Sequence, residues 1–189
     1  MNKHYFVTGG NGFIGHSIVK MLLNDGHKVT VFDNIFRHGE KKIFHTKNYK
    51  FIKGDICNLN ELKKSLKKVD ALIHLAYING TQNFYKIPDK IIEVASKGIT
   101  NVFDACLSKN IKEIYLASSS EVYYYPKKIP TDEKTPLVIP DPHNPRYSYS
   151  AGKILTEIYG LSFAKYFKKL VIFRPHNVYG PNMGNKHVI

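Results

Sequence analysis

The stretch TGGNGFIG, Thr8 to Gly15, follows directly on the apolar run HYFV and opens the amphipathic stretch GFIGHSIVKMLLNDG. Glycines spaced as Gly9, Gly12 and Gly15 at a passage from apolar strand to apolar-periodic helix leave few folds open. The turn belongs to a βαβ unit in which helix and strand pack closely. Ile14, Ile18, Met21 and Leu22 supply the helix's expected core face, and Gly26 ends it. The rest of the chain repeats the alternation. Strands are expected at KVTVFD, KFIKGD, VDALIHLA, IKEIYLASS and LVIFRP. Helices are expected at LNELKKSLKK, DKIIEVASKGITNVFDACLSK and YSYSAGKILTEIYGLSFAKYF, with a Pro-rich loop from Pro126 to Pro145. Strands alternating with helices of these lengths predict an α/β fold, a doubly wound parallel sheet of Rossmann type.

The glycine spacing also points to a ligand. Gly9, Gly12 and Gly15 sit where a helix N-terminus offers unpaired N–H groups and the positive end of its dipole. A pyrophosphate fits that environment. Asp33 ends the second strand, where a carboxylate accepts hydrogen bonds from an adenosine ribose and repels a 2′-phosphate. NAD is therefore expected over NADP, with Arg37 close behind as the feature favouring the phosphorylated form. Asp55, in GDI, ends the third strand, where it either meets the adenine edge or makes an ordinary turn.

Four YxxxK spacings occur: Tyr49 with Lys53, Tyr123 with Lys127, Tyr124 with Lys128, and Tyr149 with Lys153. The first lies on a strand, which separates its side chains by about 13 Å. The next two run into Pro126, which opposes a helix. Only Tyr149 and Lys153 stand one helical turn apart on one face; Tyr147, two residues away, faces elsewhere. A phenol has a pKa near 10, and bringing one to about 7 requires roughly 4 kcal/mol. A nearby ammonium and an oxidised nicotinamide favour the phenolate in the required sense. The pair then suits removal of a hydroxyl proton as hydride leaves the same carbon. The strand IKEIYLASSSEVY ends in Ser118, Ser119 and Ser120, any of which can hold the reacting oxygen or cap a turn.

Composition narrows the partners. The net charge is +13, but only Arg37, Arg146 and Arg174 are arginines, and the lysines scatter over expected helix surfaces. A solvated face fits this better than a nucleic-acid surface, and it can attract phosphorylated substrates. Cys57 and Cys106 lack metal-ligand spacing and read as inert thiols, with no metal site. No apolar run reaches membrane-span length, and the N-terminus lacks the pattern of a signal peptide, so a cytoplasmic protein is expected.

The segments TGGNGFIG, VFDN, GDI, HLAY, ASSSEVY, YSYSAGK and RPHNVYGP, in that order, resemble the extended short-chain dehydrogenase/reductase family. The resemblance is to its NAD-dependent nucleotide-sugar epimerases and dehydratases. It implies that Phe13 and Ile14 join Gly9, Gly12 and Gly15 at the pyrophosphate. Asp33 and Asn34 would hold the ribose, and Asp55 and Ile56 the adenine. Leu75, Ala76 and Tyr77 would flank the middle of the cofactor. Tyr149 is implied as acid/base, Lys153 as its activator and nicotinamide-ribose ligand, and Ser119 as the catalytic hydroxyl. Asn177 is implied at the substrate's phosphates. Ser120 and Glu121 are expected on the substrate side, where Glu121 either orients a water or substrate hydroxyl or is a buried strand-end acid held by backbone amides.

Three departures accompany the likeness. A helix asparagine of the family is Ala95 here, three residues before Gly98. The usual HLAA is HLAY, placing Tyr77 near the nicotinamide. Family chains are usually much longer, so 1–175 is expected as the NAD-binding domain and 176–189 as the start of an apparently truncated substrate-binding region. Family 4,6-dehydratases carry an Asp-Glu pair where Ser120 and Glu121 stand, which disfavours dehydration. A Ser-Ser-Glu run is similar to that of UDP-glucuronate decarboxylases and some epimerases. IPDPHNPRYSYSAGK is most similar to bacterial epimerases of surface polysaccharide synthesis. An epimerase-type domain is the leading expectation. A decarboxylase, a dehydratase, and an NAD-binding module without turnover are the alternatives. Apolar Ile154, Leu155, Ile158 and Leu161 on the YxxxK helix suit a homodimer.

Overall fold

Short runs of β-branched and aromatic residues set the sheet, and their period-2 alternation gives it two apolar faces. The computed structural model describes residues 2–36, 44–180 and 183. Its strands are β1 His4–Thr8, β2 Lys28–Asp33, β3 Tyr49–Lys53, β4 Ala71–His74, β5 Glu113–Ala117 and β6 Lys169–Phe173. They form one six-stranded sheet in the order β3-β2-β1-β4-β5-β6, and every neighbouring pair is parallel. The expected doubly wound sheet is therefore present. The strand order reverses between β1 and β4, which opens a crevice beyond their carboxyl ends.

Adjacent strand residues take opposite faces. Phe6, Phe32, Leu72, Ile114 and Leu116 enter the larger core. Val7, Val29, Val31 and Ile73 enter a smaller one with Val19 of helix α1, Phe13–Asn24. One expectation about α1 is corrected. Met21 is 63% exposed rather than core-facing, because it stands about 200° around the helix from Val19; Gly15 and Val19 are the buried residues.

The larger core is covered by α2, Leu59–Ser65, and by a composite helical segment. The expected single helix from Asp89 is instead α4, Pro88–Glu93, a π turn, Val94–Gly98, and α5, Ile99–Ser108. A separate α3, Thr81–Lys86, precedes it and was not expected. It is too short to display a period, and buried Phe84 anchors it. The last helix, α6, runs Ser148–Phe163 and continues as a 3₁₀ turn to Tyr166. The Pro-rich segment before it is irregular, flanked by 3₁₀ turns at Ser120–Tyr123 and Pro145–Tyr147. Cys106 lies in the core, where burial pushes its thiol up to about 12 and removes it as a nucleophile.

Candidate active site

The glycine loop is built by steric necessity. Gly9 has φ +71°, and a Cβ there would stand 2.6 Å from the Ala76 backbone nitrogen. A Cβ on Gly15 would overlap the Gly9 carbonyl, so only glycine lets α1 pack against the loop. The N-cap of α1 is Gly12, with no side-chain cap and no acidic residue in the first turn. Its first N–H groups and its dipole are thus available to an anion.

Asp33 anchors this loop as well as edging the crevice. Its carboxylate accepts the Asn11 N–H at 3.0 Å and the Ile35 N–H at 2.7 Å. A carboxylate has about four acceptor sites in all, so such a group can hold backbone N–H groups and also meet a ribose hydroxyl. Asn34 donates to Asp55 at 3.1 Å, and Asp55 also accepts the Cys57 N–H at 2.8 Å. Burial opposes ionisation of Asp55, yet these hydrogen bonds outweigh it and hold its pKa below the ordinary value. The buried Asn101 donates to the Ile56 carbonyl at 2.9 Å, fixing the backbone at this end. Arg37 lies outside the described residues.

Tyr149 and Lys153, both buried, enter the same crevice from α6. Lys153 Nζ donates to the Ala117 carbonyl at 2.8 Å, at the end of β5. It stands 5.7 Å from the Tyr149 ring centroid and 4.1 Å from that of Tyr77. Burial lowers the Lys153 pKa to about 7. The other three YxxxK spacings make no such pair: Tyr49 and Lys53 lie on β3, Tyr123 is buried against Arg174, and Tyr124 is exposed.

The serine run divides its labour. Ser118 donates to the Glu157 carboxylate. Ser119 caps the following 3₁₀ turn by accepting the Glu121 N–H at 3.2 Å. An accepting hydroxyl still carries a proton to donate, so Ser119 can serve a reacting oxygen at the crevice wall. Ser120 gives its N–H to the Pro175 carbonyl at 3.0 Å. Glu121 is paired with Arg146 at 2.8 Å, so one of its oxygens is already engaged. Asn177 is exposed at the mouth.

All eighteen expected site residues line this one crevice of ≈ 290 Å³, Phe13, Ile14, Leu75 and Ala76 among them. The residues fit a dinucleotide: an uncapped helix end for phosphates, a strand-end carboxylate for a ribose, and a Tyr/Lys pair at the far end. Sequence reasoning did not find Asn11, Arg146, Glu157 or Arg174. Arg174 joins Glu157 through two contacts, at 2.6 and 2.8 Å, and also reaches Tyr123 and the Glu133 carbonyl. The available signal was Glu157 on the helix face one turn beyond Lys153.

Two buried bases give a pH dependence. His74, which shares a 2.8 Å hydrogen bond with Thr8, is lowered by burial, and then by Lys153, from 6.5 to about 3. Lys153 is lowered from 10.5 to about 7. The unfolded chain therefore binds more protons than the folded one from pH 3 to 6.5 and from 7 to 10.5. Stability is expected to rise with pH through both windows and to be lost as pH falls through them. Urea midpoints across pH check this, and Lys153→Met should flatten the upper window.

A family model described as NAD dependent epimerase/dehydratase family matches residues 5–189. A UDP-N-acetyl-alpha-D-glucosaminuronate decarboxylase of Bacillus cytotoxicus is 32% identical over 183 residues, 96% of this chain and 56% of its own length. The solved structure of an epimerase from Methanothermobacter thermautotrophicus has TM-score 0.84 and 32% identity, covering 95% of this chain and 53% of that one. A UDP-glucose 4-epimerase from Brucella ovis, solved in complex with NAD, has TM-score 0.75 and 25% identity, covering 91% and 51%. The chain spans about half the length of the curated relatives it matches.

Proposed function

The chain belongs to the NAD dependent epimerase/dehydratase family, and from that premise we propose that it is an NAD-dependent nucleotide-sugar epimerase-type domain acting by transient oxidation of a sugar hydroxyl. The observation that carries this reading is the convergence of the Tyr149/Lys153 pair and Ser119 on the crevice that holds the uncapped start of α1. NAD would supply the hydride acceptor. Gly9, Gly12 and Gly15, with Phe13 and Ile14, would hold its pyrophosphate. Asp33 and Asn34 would take the adenosine ribose, Asp55 and Ile56 the adenine, and Leu75, Ala76 and Tyr77 the middle.

Ser119 donates to the sugar oxygen and fixes it beside Tyr149. Tyr149 removes the hydroxyl proton as its phenolate and returns it on reduction. The Lys153 ammonium favours that phenolate and would hold the nicotinamide ribose when NAD is bound. Ser120, Glu121 and Asn177 would contact the sugar nucleotide. Residues 1–175 form the cofactor domain in this reading, and 176–189 begin the substrate-binding region. Exposed Ile158 and Leu161 on α6 support a homodimer. Surface polysaccharide synthesis in the cytoplasm is the proposed setting.

A second reading, decarboxylation, is favoured by the Bacillus cytotoxicus relative and by the Ser-Ser-Glu run. Assays with UDP-, dTDP- and GDP-linked sugars and uronates separate the two. Interconverted sugar epimers support epimerisation, and released carbon dioxide supports decarboxylation. NAD binding with no sugar nucleotide bound or turned over would make the chain a cofactor-binding module and overturn both.

A further inference from the structure

Tyr77 sits just after β4, and its environment is unusual for a buried phenol. Lys153 Nζ is 4.1 Å from its ring centroid, closer than the 5.7 Å to Tyr149. Its ring meets that of Tyr149 at 5.2 Å with the planes 87° apart, an edge-to-face contact. Its hydroxyl is buried and has no hydrogen-bond partner among the described residues. Sterics hold that end instead. A Cβ on Gly152 would overlap the Tyr77 hydroxyl and stand 2.5 Å from the Ala95 Cβ. The tyrosine at 77 and the alanine at 95, where this chain departs from the resembled pattern, therefore meet at one point, beside the side-chain-less Gly152.

We propose that Tyr77 is a positioning residue whose ring, rather than its hydroxyl, seats the Lys153 ammonium and braces Tyr149 beside it. The proposal rests on the reading of Tyr149 and Lys153 as the proton-transfer pair. Lys153 is buried and takes no part in the ion pairs among the described residues. Its polar partner is one carbonyl, Ala117 O. Desolvation drives such an amine towards neutrality, and a neutral amine cannot stabilise a phenolate. The negative face of an aromatic ring offsets that loss, most effectively where water is excluded. The titratable groups facing Lys153 are His74 from β4, Tyr149 from its own helix, and Tyr77. His74 is held near 3 and stays neutral above that.

This assignment has a mutational signature that volume filling lacks. Tyr77→Phe keeps the ring and deletes an unpaired hydroxyl. Tyr77→Leu keeps apolar bulk and deletes the ring. The test is a pH titration of the Lys153 ammonium signal in ¹⁵N-lysine-labelled protein without cofactor, assigned by its loss in Lys153→Met. Wild type and Tyr77→Phe should share one midpoint, and Tyr77→Leu should titrate about one unit lower. Should Tyr77→Leu not fold, Tyr77→Met makes the same comparison. An unshifted midpoint in the folded aliphatic variant overturns the proposal, as does an equal shift in Tyr77→Phe. Because the titration needs no ligand, absent NADH binding in wild type would sink the functional reading and not this one. An unshifted Leu variant that still binds NADH would sink only this one.

Discussion

Tyr149→Phe is expected to lower turnover of a sugar-nucleotide substrate by about 10²–10⁴-fold, the range set by removing a positioned acid/base, with NADH affinity nearly unchanged. The substitution deletes one oxygen and leaves the ring, which is buried against Tyr77 at 5.2 Å and Phe84 at 5.3 Å. The crevice should therefore keep its shape. Lys153→Met should differ, because Lys153 is assigned to both proton transfer and the nicotinamide ribose. A loss in turnover should then be joined by weaker NADH binding. Steady-state kinetics beside a fluorescence titration separates the two. Full activity in Tyr149→Phe would remove this tyrosine from the chemistry.

The largest loss of stability is expected for Glu157→Ala. Glu157 is almost wholly buried on α6 and holds Arg174 at 2.6 and 2.8 Å while accepting from Ser118. Arg174 in turn spans to Tyr123 and the Glu133 carbonyl. The pair thus ties the ends of β5 and β6 to α6 and to the segment that follows the serine run. The hydrogen bonds that Arg174 donates to Glu157 are the main reason its pKa stands above the ordinary value. Removing one partner of a fully buried pair costs about 3–5 kcal/mol. Arg174 is only partly buried and keeps Tyr123 and the Glu133 carbonyl, so the loss should fall towards or below the lower end of that range. Urea denaturation should show it as a lower midpoint. Glu157→Gln, which keeps an acceptor for Ser118, should lose less.

Features fixed by local pattern were legible in the sequence. The glycine turn, Asp33 at a strand end, and one helical turn between Tyr149 and Lys153 follow from spacing and period alone. The seven segments in order carried the family and most of the crevice. Features fixed by contacts across the fold were not legible. Arg174 and Glu157 are seventeen residues apart and meet because β6 lies beside α6. Asn11 reads as a turn residue, yet its backbone N–H holds Asp33. Tyr77 reads as added bulk near the cofactor, and only the packing around Gly152 turns its ring toward Lys153. The π turn Val94–Gly98 interrupts a segment whose apolar spacing reads as one helix, and α3 is too short to declare itself.

The most direct measurement is a titration of the full chain with NADH, followed by nicotinamide fluorescence, beside the variant Asp33→Ala. The variant removes the acceptor for the Asn11 and Ile35 N–H groups and the proposed ribose contact. Saturable binding to wild type, weakened roughly tenfold or more in Asp33→Ala, is the expected result, since hydrogen bonds to a charged group carry about 1.5–3 kcal/mol. Folded wild-type protein that shows no saturable NADH binding would contradict the assignment of this crevice.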